Sequence, residues 1–366
     1  MTDKNSKDSV SETDEGGDNE LVPSFVPYLA VVLGLMEKDK GSPLTEEEVN
    51  KILDGATCMM MRRSYYEKME RPYRDVNPKN VWADWHRVRS EVVSCYAPIF
   101  VLTVPVSSEV LPAAEAKLIE LGMTYLVVQY RPDLVEYFRH KASKYEPVLD
   151  DAAYERIGQH QISVEIRGKS FTARESLKES LNTLKLIKDL IGIGAIAVCC
   201  DSSSLTHSNE KWLELAEEAE VDFEENSFNG LDLSAAFCRA YMQYPVESEN
   251  DYFTCGLHLL GLPDLIVDKN LINKILTQPE NPVYEASNLF WTFAVYLLFS
   301  CKKGEFMSGN TFSTSVEAPR FRAIWEPCSY FQESDIRYNC YGLWRFVDPN
   351  VQKAKGPLSF FNKLKR

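Results

Sequence analysis

The sequence contains no C-x-x-C pair, no P-loop, no H-E-x-x-H and no G-x-S-x-G. Zinc ribbons, thioredoxin-type redox chemistry, phosphate cradling and a nucleophile elbow therefore lack their usual supports. Long apolar runs are missing too. The longest, Leu289 to Phe299, falls well short of the ~20 residues that cross a bilayer. Positive charge is in short supply, with 40 basic against 54 acidic residues and a net charge of -14. Such a surface repels phosphate backbones, which argues against nucleic acid as the main partner. The opening stretch, MTDKNSKDSVSETDEGGDNE, has neither the basic start nor the apolar core of a secretory signal. The nine cysteines are odd in number and sit mostly in apolar segments. The expectation is a cytoplasmic protein with reduced thiols.

What is present is globular in character. The chain has 366 residues, 45% hydrophobic and 26% charged, enough for a sizeable core and roughly two domains. Residues 1–20 hold seven acidic and two basic side chains and are expected to be a disordered acidic tail. An N-terminal α/β domain is expected over 21–150 and an α+β domain over 151–350. Residues 351–366 form a basic tail, with five basic side chains from Lys353 to Arg366 and Phe360, Phe361 and Leu364 among them. That tail is either a solubilising end or an anchor for a membrane surface or partner.

Between the tails the pattern alternates. Strands are predicted at Tyr28–Leu35, Cys58–Met61, Pro98–Val104, Thr124–Tyr130, Ile162–Ile166, Ala195–Cys200, Ala235–Tyr244, Phe321–Trp325 and Tyr341–Phe346. Thr45 with Glu48, and Thr172 with Glu175, fit capping boxes that open helices. Leu177, Leu181, Leu184, Ile187 and Leu190 recur at helical spacing, and Gly192 is the expected stop. Ala286–Phe299 reads as a helix buried on nearly all sides. Successive strand-helix-strand units predict an α+β protein, an α/β sandwich of mixed sheets packed by helices, with room for two ferredoxin-like halves.

Few residues are arranged for chemistry. Gly192-Ile193-Gly194 ends a helix rather than opening one, so it is not a dinucleotide fingerprint. Asp201 to His207, DSSSLTH, follows an apolar strand and precedes a helix that Ser208 can cap. Asp201, Ser203 and His207 are residue types for acid-base or nucleophilic work, and the carboxyl end of a strand is where such proteins gather ligands. Serine and aspartate are equally turn residues. Cys255 and His258 offer a thiolate or half a metal site, but no second pair has matching spacing. Arg62 to Arg74, RRSYYEKMERPYR, could stack on a phosphorylated ligand or simply be solvated. Trp82, Trp85 and His86 share one helical face and suit packing. No cofactor is implied.

TCGLHLLGLPDL, from Thr254 to Leu265, resembles the T-x-G-L-x-x-x-G-L-P-E-L hallmark of a bacterial family, domain of unknown function 4261. Gly194–Ser208 is similar to its apolar strand, polar loop and helix. Ala294–Leu298 with Gly309, Asn310 and Thr311 resembles its buried helix and Gly-Asp-Thr turn, and Phe321–Ile324 the strand after it. Asn310 stands where an acidic residue is expected, which removes a carboxylate from any metal site there. The resemblance spans roughly Ile193 to Phe346 and implies fold and bacterial origin, with no catalytic residues to carry over. Three functions stay open: a non-enzymatic protein-binding, regulatory or immunity-type protein; a hydrolase-like enzyme using Asp201 to His207; and a peripheral membrane or structural protein using the basic tail.

Overall fold

The computed structural model describes residues 21–40, 43–68, 75–93, 97–224, 235–275, 281–301 and 306–350. Both tails, residues 69–74 of the basic tyrosine segment, and Cys95 lie outside the described residues. The chain divides into two units, Met1–Val81 and Trp82–Arg366.

In the first unit, β1 (Leu21–Phe25) pairs antiparallel with β2 (Cys58–Arg62), from Leu21 opposite Arg62 to Phe25 opposite Cys58. Between them lie α1 (Leu29–Lys40) and α2 (Glu46–Gly55), and α3 (Arg63–Lys68) follows. The Tyr28–Leu35 strand expectation is corrected by α1. Its buried positions, Leu29, Ala30, Leu33, Gly34 and Glu37, recur at helical spacing once the polar residues after Leu35 are counted. The Thr45 capping box forms: Thr45 Oγ1 accepts from the Glu48 amide, and Glu48 Oε2 accepts from the Thr45 amide.

The second unit begins with α4 (Val81–Val92), followed by β3 (Val101–Val106), α5 (Leu111–Glu120) and β4 (Thr124–Gln129). Next come α6 (Leu134–His140) and α7 (Asp151–Gly158), β5 (Ile162–Arg167), α8 (Ser176–Ile193), β6 (Cys199–Cys200) and β7 (Leu205–Thr206). The strands form one sheet in the order β4-β5-β3-β6-β7, each antiparallel to its neighbours. The β3-α5-β4 and β5-α8-β6 units interleave, the split βαβ arrangement of a ferredoxin-like plait. Because β5 sits between β4 and β3, the expected boundary at residue 150 runs through this sheet.

One face of the sheet (Leu102, Val104, Val164, Ile166) packs on Leu118 of α5 and on Leu184 and Ile187 of α8. The other face is covered by α6 and α7, an insertion between β4 and β5 that brings Leu134, Phe138 and Ile157 onto Ala197 and Cys199. α8 runs past Gly192 and stops at Gly194, whose φ of 116° is the left-handed geometry of a C-terminal glycine. Thr172 and Glu175 bond to each other, but the helix opens only at Ser176.

α9 (Asn209–Glu224) opens at Ser208, whose Oγ accepts from the Lys211 amide at 3.1 Å. α10 (Ala236–Tyr241) replaces most of the strand expected over Ala235–Tyr244, and β8 (Gln243–Glu247) follows it. β9 (Asp251–Cys255), β10 (Asp264–Asp268), α11 (Lys269–Ile275), α12 (Pro282–Val295), β11 (Thr311–Phe312), β12 (Phe321–Glu326) and β13 (Leu343–Val347) complete the chain order. Their sheet has the order β11-β12-β13-β10-β9-β8. It is mixed, because β10 and β13 run parallel while the other neighbours are antiparallel. This order is a meander joined to a second set of strands, so the expectation of two ferredoxin-like halves is met only in the first sheet. α12 buries Ala286, Leu289, Phe290, Phe293 and Ala294 against the sheet and leaves Trp291 and Val295 half-buried. It is one-sided, not enclosed on all sides. The fold is α+β throughout.

Candidate functional site

The Asp201–Ser204 segment is the four-residue loop of a hairpin, because β6 and β7 pair directly on either side of it. The Ser204 amide donates to the Asp201 carbonyl at 3.1 Å, and Ser204 takes a φ of 56°. The loop is folded inward. Asp201, Ser202, Ser203 and His207 are all buried, so the loop does not line an open cleft.

Asp201 closes a polar cluster between the sheet and α6. Its carboxylate accepts from Thr103 Oγ1 (2.6 Å), Lys141 Nζ (2.9 Å), Cys199 Sγ (3.4 Å) and the Tyr137 hydroxyl. Lys141 Nζ also lies 3.7 Å from the centre of the Tyr137 ring, a cation-π contact. Desolvation, then the neighbouring Asp201 charge, pushes the Tyr137 hydroxyl and the Cys199 thiol well above their usual ranges. Both groups therefore stay protonated and serve as donors. The arrangement pins α6 to the sheet through a half-buried ion pair with its remaining acceptor sites filled.

Ser203 and His207 are separate from this cluster. Ser203 Oγ donates to the Cys200 carbonyl at 3.3 Å. His207 Nε2 lies 3.4 Å from the Ala240 carbonyl, and its ring stands edge-on to Trp212 at 4.6 Å. Burial holds the His207 pKa down at about 3, so the ring is neutral. Among the described residues, Asp201, Ser203 and His207 bond to other groups and not to one another. The geometry of a nucleophile, its base and an orienting acid is not assembled.

Cys255 and His258 lie at the end of β9 and in the 3-10 turn Leu257–Leu260. Both are buried. Burial raises the Cys255 thiol and lowers His258 to about 4. The His258 ring faces the Ile336 backbone without completing a hydrogen bond there. Among the described residues, no three metal-ligating side chains converge.

The motif around them has a clear packing role. Asp264 Oδ1 accepts from Thr254 Oγ1 (3.0 Å) and the Leu257 amide (3.2 Å), and Oδ2 accepts from Asn339 Nδ2 (2.9 Å). Asn339 also donates to the Leu262 carbonyl and accepts from the Tyr341 amide. The polar positions of TCGLHLLGLPDL thus staple β9, the 3-10 turn, β10 and the 339–341 loop together. Gly256, at φ 103°, is pressed against the first motif: a Cβ there would lie 2.0 Å from the Tyr241 carbonyl and 2.7 Å from Ser203 Cβ. The two sequence motifs meet in the interior of the unit as a packing contact.

The other candidates also lie in packed or hydrogen-bonded positions. Trp85 is fully buried, and Trp82 and His86 form an edge-on pair beside Trp325. Asn310 lies in the turn before β11, where its carbonyl accepts from the Ala323 amide at 2.9 Å. Cys58, Cys199, Cys200, Cys238, Cys255, Cys301, Cys328 and Cys340 are free thiols.

Sequence reasoning missed two features. One is the cover formed by α6 and α7, and with it Tyr137 and Lys141. The pair Leu134 and Phe138, one helical turn apart, was the signal for it. The other is the outer edge of β4. Among the described residues β4 pairs with β5 alone, over six uninterrupted positions, and Thr124, Leu126 and Gln129 are exposed. Ile119, Leu121 and Tyr130, immediately before and after it in sequence, are exposed too. No helix of the described residues is long and apolar enough to cross a membrane. Neither a protein-family model, nor a curated protein, nor a solved structure matches the chain.

Proposed function

We propose that this is a regulatory or immunity-type protein of the bacterial cytoplasm that works by binding another protein chain rather than by catalysis. The resemblance over Ile193 to Phe346 supports the bacterial origin, and the odd number of cysteines, mostly in apolar segments, supports a reducing compartment. The single observation that carries the binding role is the β4 edge.

Sheet edges invite pairing with other chains, and proteins blunt them with short strands, proline, bulges or charge. Among the described residues, three of the four sheet edges in the second unit are blunted in this way. β7 and β11 are two residues long, and β8 carries Pro245 and a register shift between Gln243 and Val246. β4, TYLVVQ, has six residues with no charge, no proline and no bulge. It presents an unguarded row of backbone donors and acceptors, with apolar side chains beside it, as strand addition by a partner requires. At the other candidate site, Asp201 already accepts from Thr103, Tyr137, Lys141 and Cys199, which favours an anchoring role there.

Site-specific photo-cross-linking tests the reading. A photoreactive residue at Leu126 is expected to cross-link efficiently to a protein chain in the native cell, and one at Val316, a fully exposed position in the loop between β11 and β12, is expected not to. Equal yields at both positions would remove the support for binding at this edge.

A further inference from the structure

The register behind the β4 edge narrows the chemistry of its occupant. Leu126 stands directly opposite Glu165 of β5. Directly opposed residues point to the same face, so Leu126 lies on the open flank of Glu165. Glu165 is left with charge to share. Its side chain is 35% exposed and sits 3.8 Å from Arg131, which Asp133 holds closer at 3.0 Å. Thr103, its neighbour on the inner side, donates to Asp201 instead.

The wider border of the edge has the same sign. Lys117, Arg131 and the exposed Arg167 are set against Glu115, Glu120, Asp133, Glu165 and Asp189. Glu120 and Asp133 stand 67% and 63% exposed, whereas Lys117 and Arg131 are tucked in at 26% and 21%. An approaching chain meets net negative charge around a strand that has none of its own. Such an edge draws basic segments and repels acidic ones.

The spacing shows where a basic residue belongs. An incoming strand lies one strand spacing beyond β4, roughly 10 Å from β5. A lysine or arginine opposite Leu126 can lay its stem along that exposed side chain and bring its cation to Glu165. The residues on either side of it point to the other face, beside the half-buried Tyr125 and Val127. Aromatic and β-branched residues are favourable cross-strand pairs, so β-branched neighbours suit that face.

We propose that the β4 edge receives an extended segment of another protein chain, with a lysine or arginine opposite Leu126 that pairs with Glu165 and uncharged β-branched residues on either side. The proposal rests on the reading that this edge is the binding surface.

Fluorescence anisotropy of the full chain provides the test, with two labelled hexapeptides as probes. One is Thr-Val-Lys-Val-Thr-Val, and the other has Glu in place of Lys. The Lys peptide is expected to bind about tenfold more tightly than the Glu peptide at low salt, and the gap is expected to shrink as salt is added. Glu165→Gln keeps the size of the side chain and removes its charge, and a melting curve certifies its fold. It is expected to weaken the Lys peptide about threefold and to narrow the gap between the two. Leu126→Lys sets like charges against each other and is expected to weaken the Lys peptide further. Equal binding of the two peptides, or a gap that Glu165→Gln leaves unchanged, would overturn the proposal. If the peptides bind equally and Leu126 still cross-links to a protein in the cell, the basic segment falls and the binding reading stands. If neither peptide binds and Leu126 cross-links to nothing, both fall.

Discussion

Asp264 is a carboxylate enclosed by protein, and desolvation raises its pKa to about 7 despite three donors that favour the charged form. A carboxylate with a raised pKa contributes stability that is complete below its unfolded value, near 3.8, and is lost as pH rises through about 7. His207 and His258 act in the opposite sense. Their lowered pKa values mean that the unfolded chain binds protons first, so their contribution is lost as pH falls below about 6.5. These opposing slopes overlap, so the Asp264 effect is best read as a difference between variants. Asn339→Ala removes the donor to Asp264 Oδ2. A lost partner for a buried acceptor costs about 1–3 kcal/mol, and more when the acceptor is charged. Urea unfolding is therefore expected to show a larger loss for Asn339→Ala at pH 8 than at pH 5. An equal or smaller loss at pH 8 would show that Asp264 does not depend on Asn339.

At the scale of elements, Gly256 joins the two motifs that first suggested chemistry. Its positive φ and the closeness of the Tyr241 carbonyl leave no room for a side chain. Gly256→Ala is expected to lower stability by about 3 kcal/mol or more, or to prevent folding, as thermal melts and soluble yield would show. Gly122→Ala tests strain alone: its φ is also positive, but nothing lies within 4 Å of an added Cβ, so a smaller loss of about 1 kcal/mol is expected. Elements whose apolar residues kept a clean period were legible. β4, β5 and the face of α8 fell within a residue or two of their expected places, as did the Thr45 cap. α1 was not legible because its first turns, YLAVVLGL, are apolar on every side and mimic a buried strand. α10 failed for a different reason: AFCRAY has six residues, five of them buried, and so short a helix shows no period. The Asp201 loop was correctly placed at the end of β6, but its burial depends on Thr103, Tyr137 and Lys141, which are distant in sequence and carry no local sign of the contact.

For the whole molecule, alternating strand and helix segments pointed to an α+β chain, and the interleaving of β3-α5-β4 with β5-α8-β6 realises that pattern. What composition could not indicate was which strand edge lies open, since that depends on sheet order. The open edge of β4 among the described residues is the central claim, and residue-resolved hydrogen exchange of the full chain measures it directly. The β4 amides that face β5 are expected to be protected, because their ladder is unbroken. The alternate amides that face outward are expected to exchange as freely as exposed amides. Outward amides protected as strongly as those facing β5 would contradict the claim.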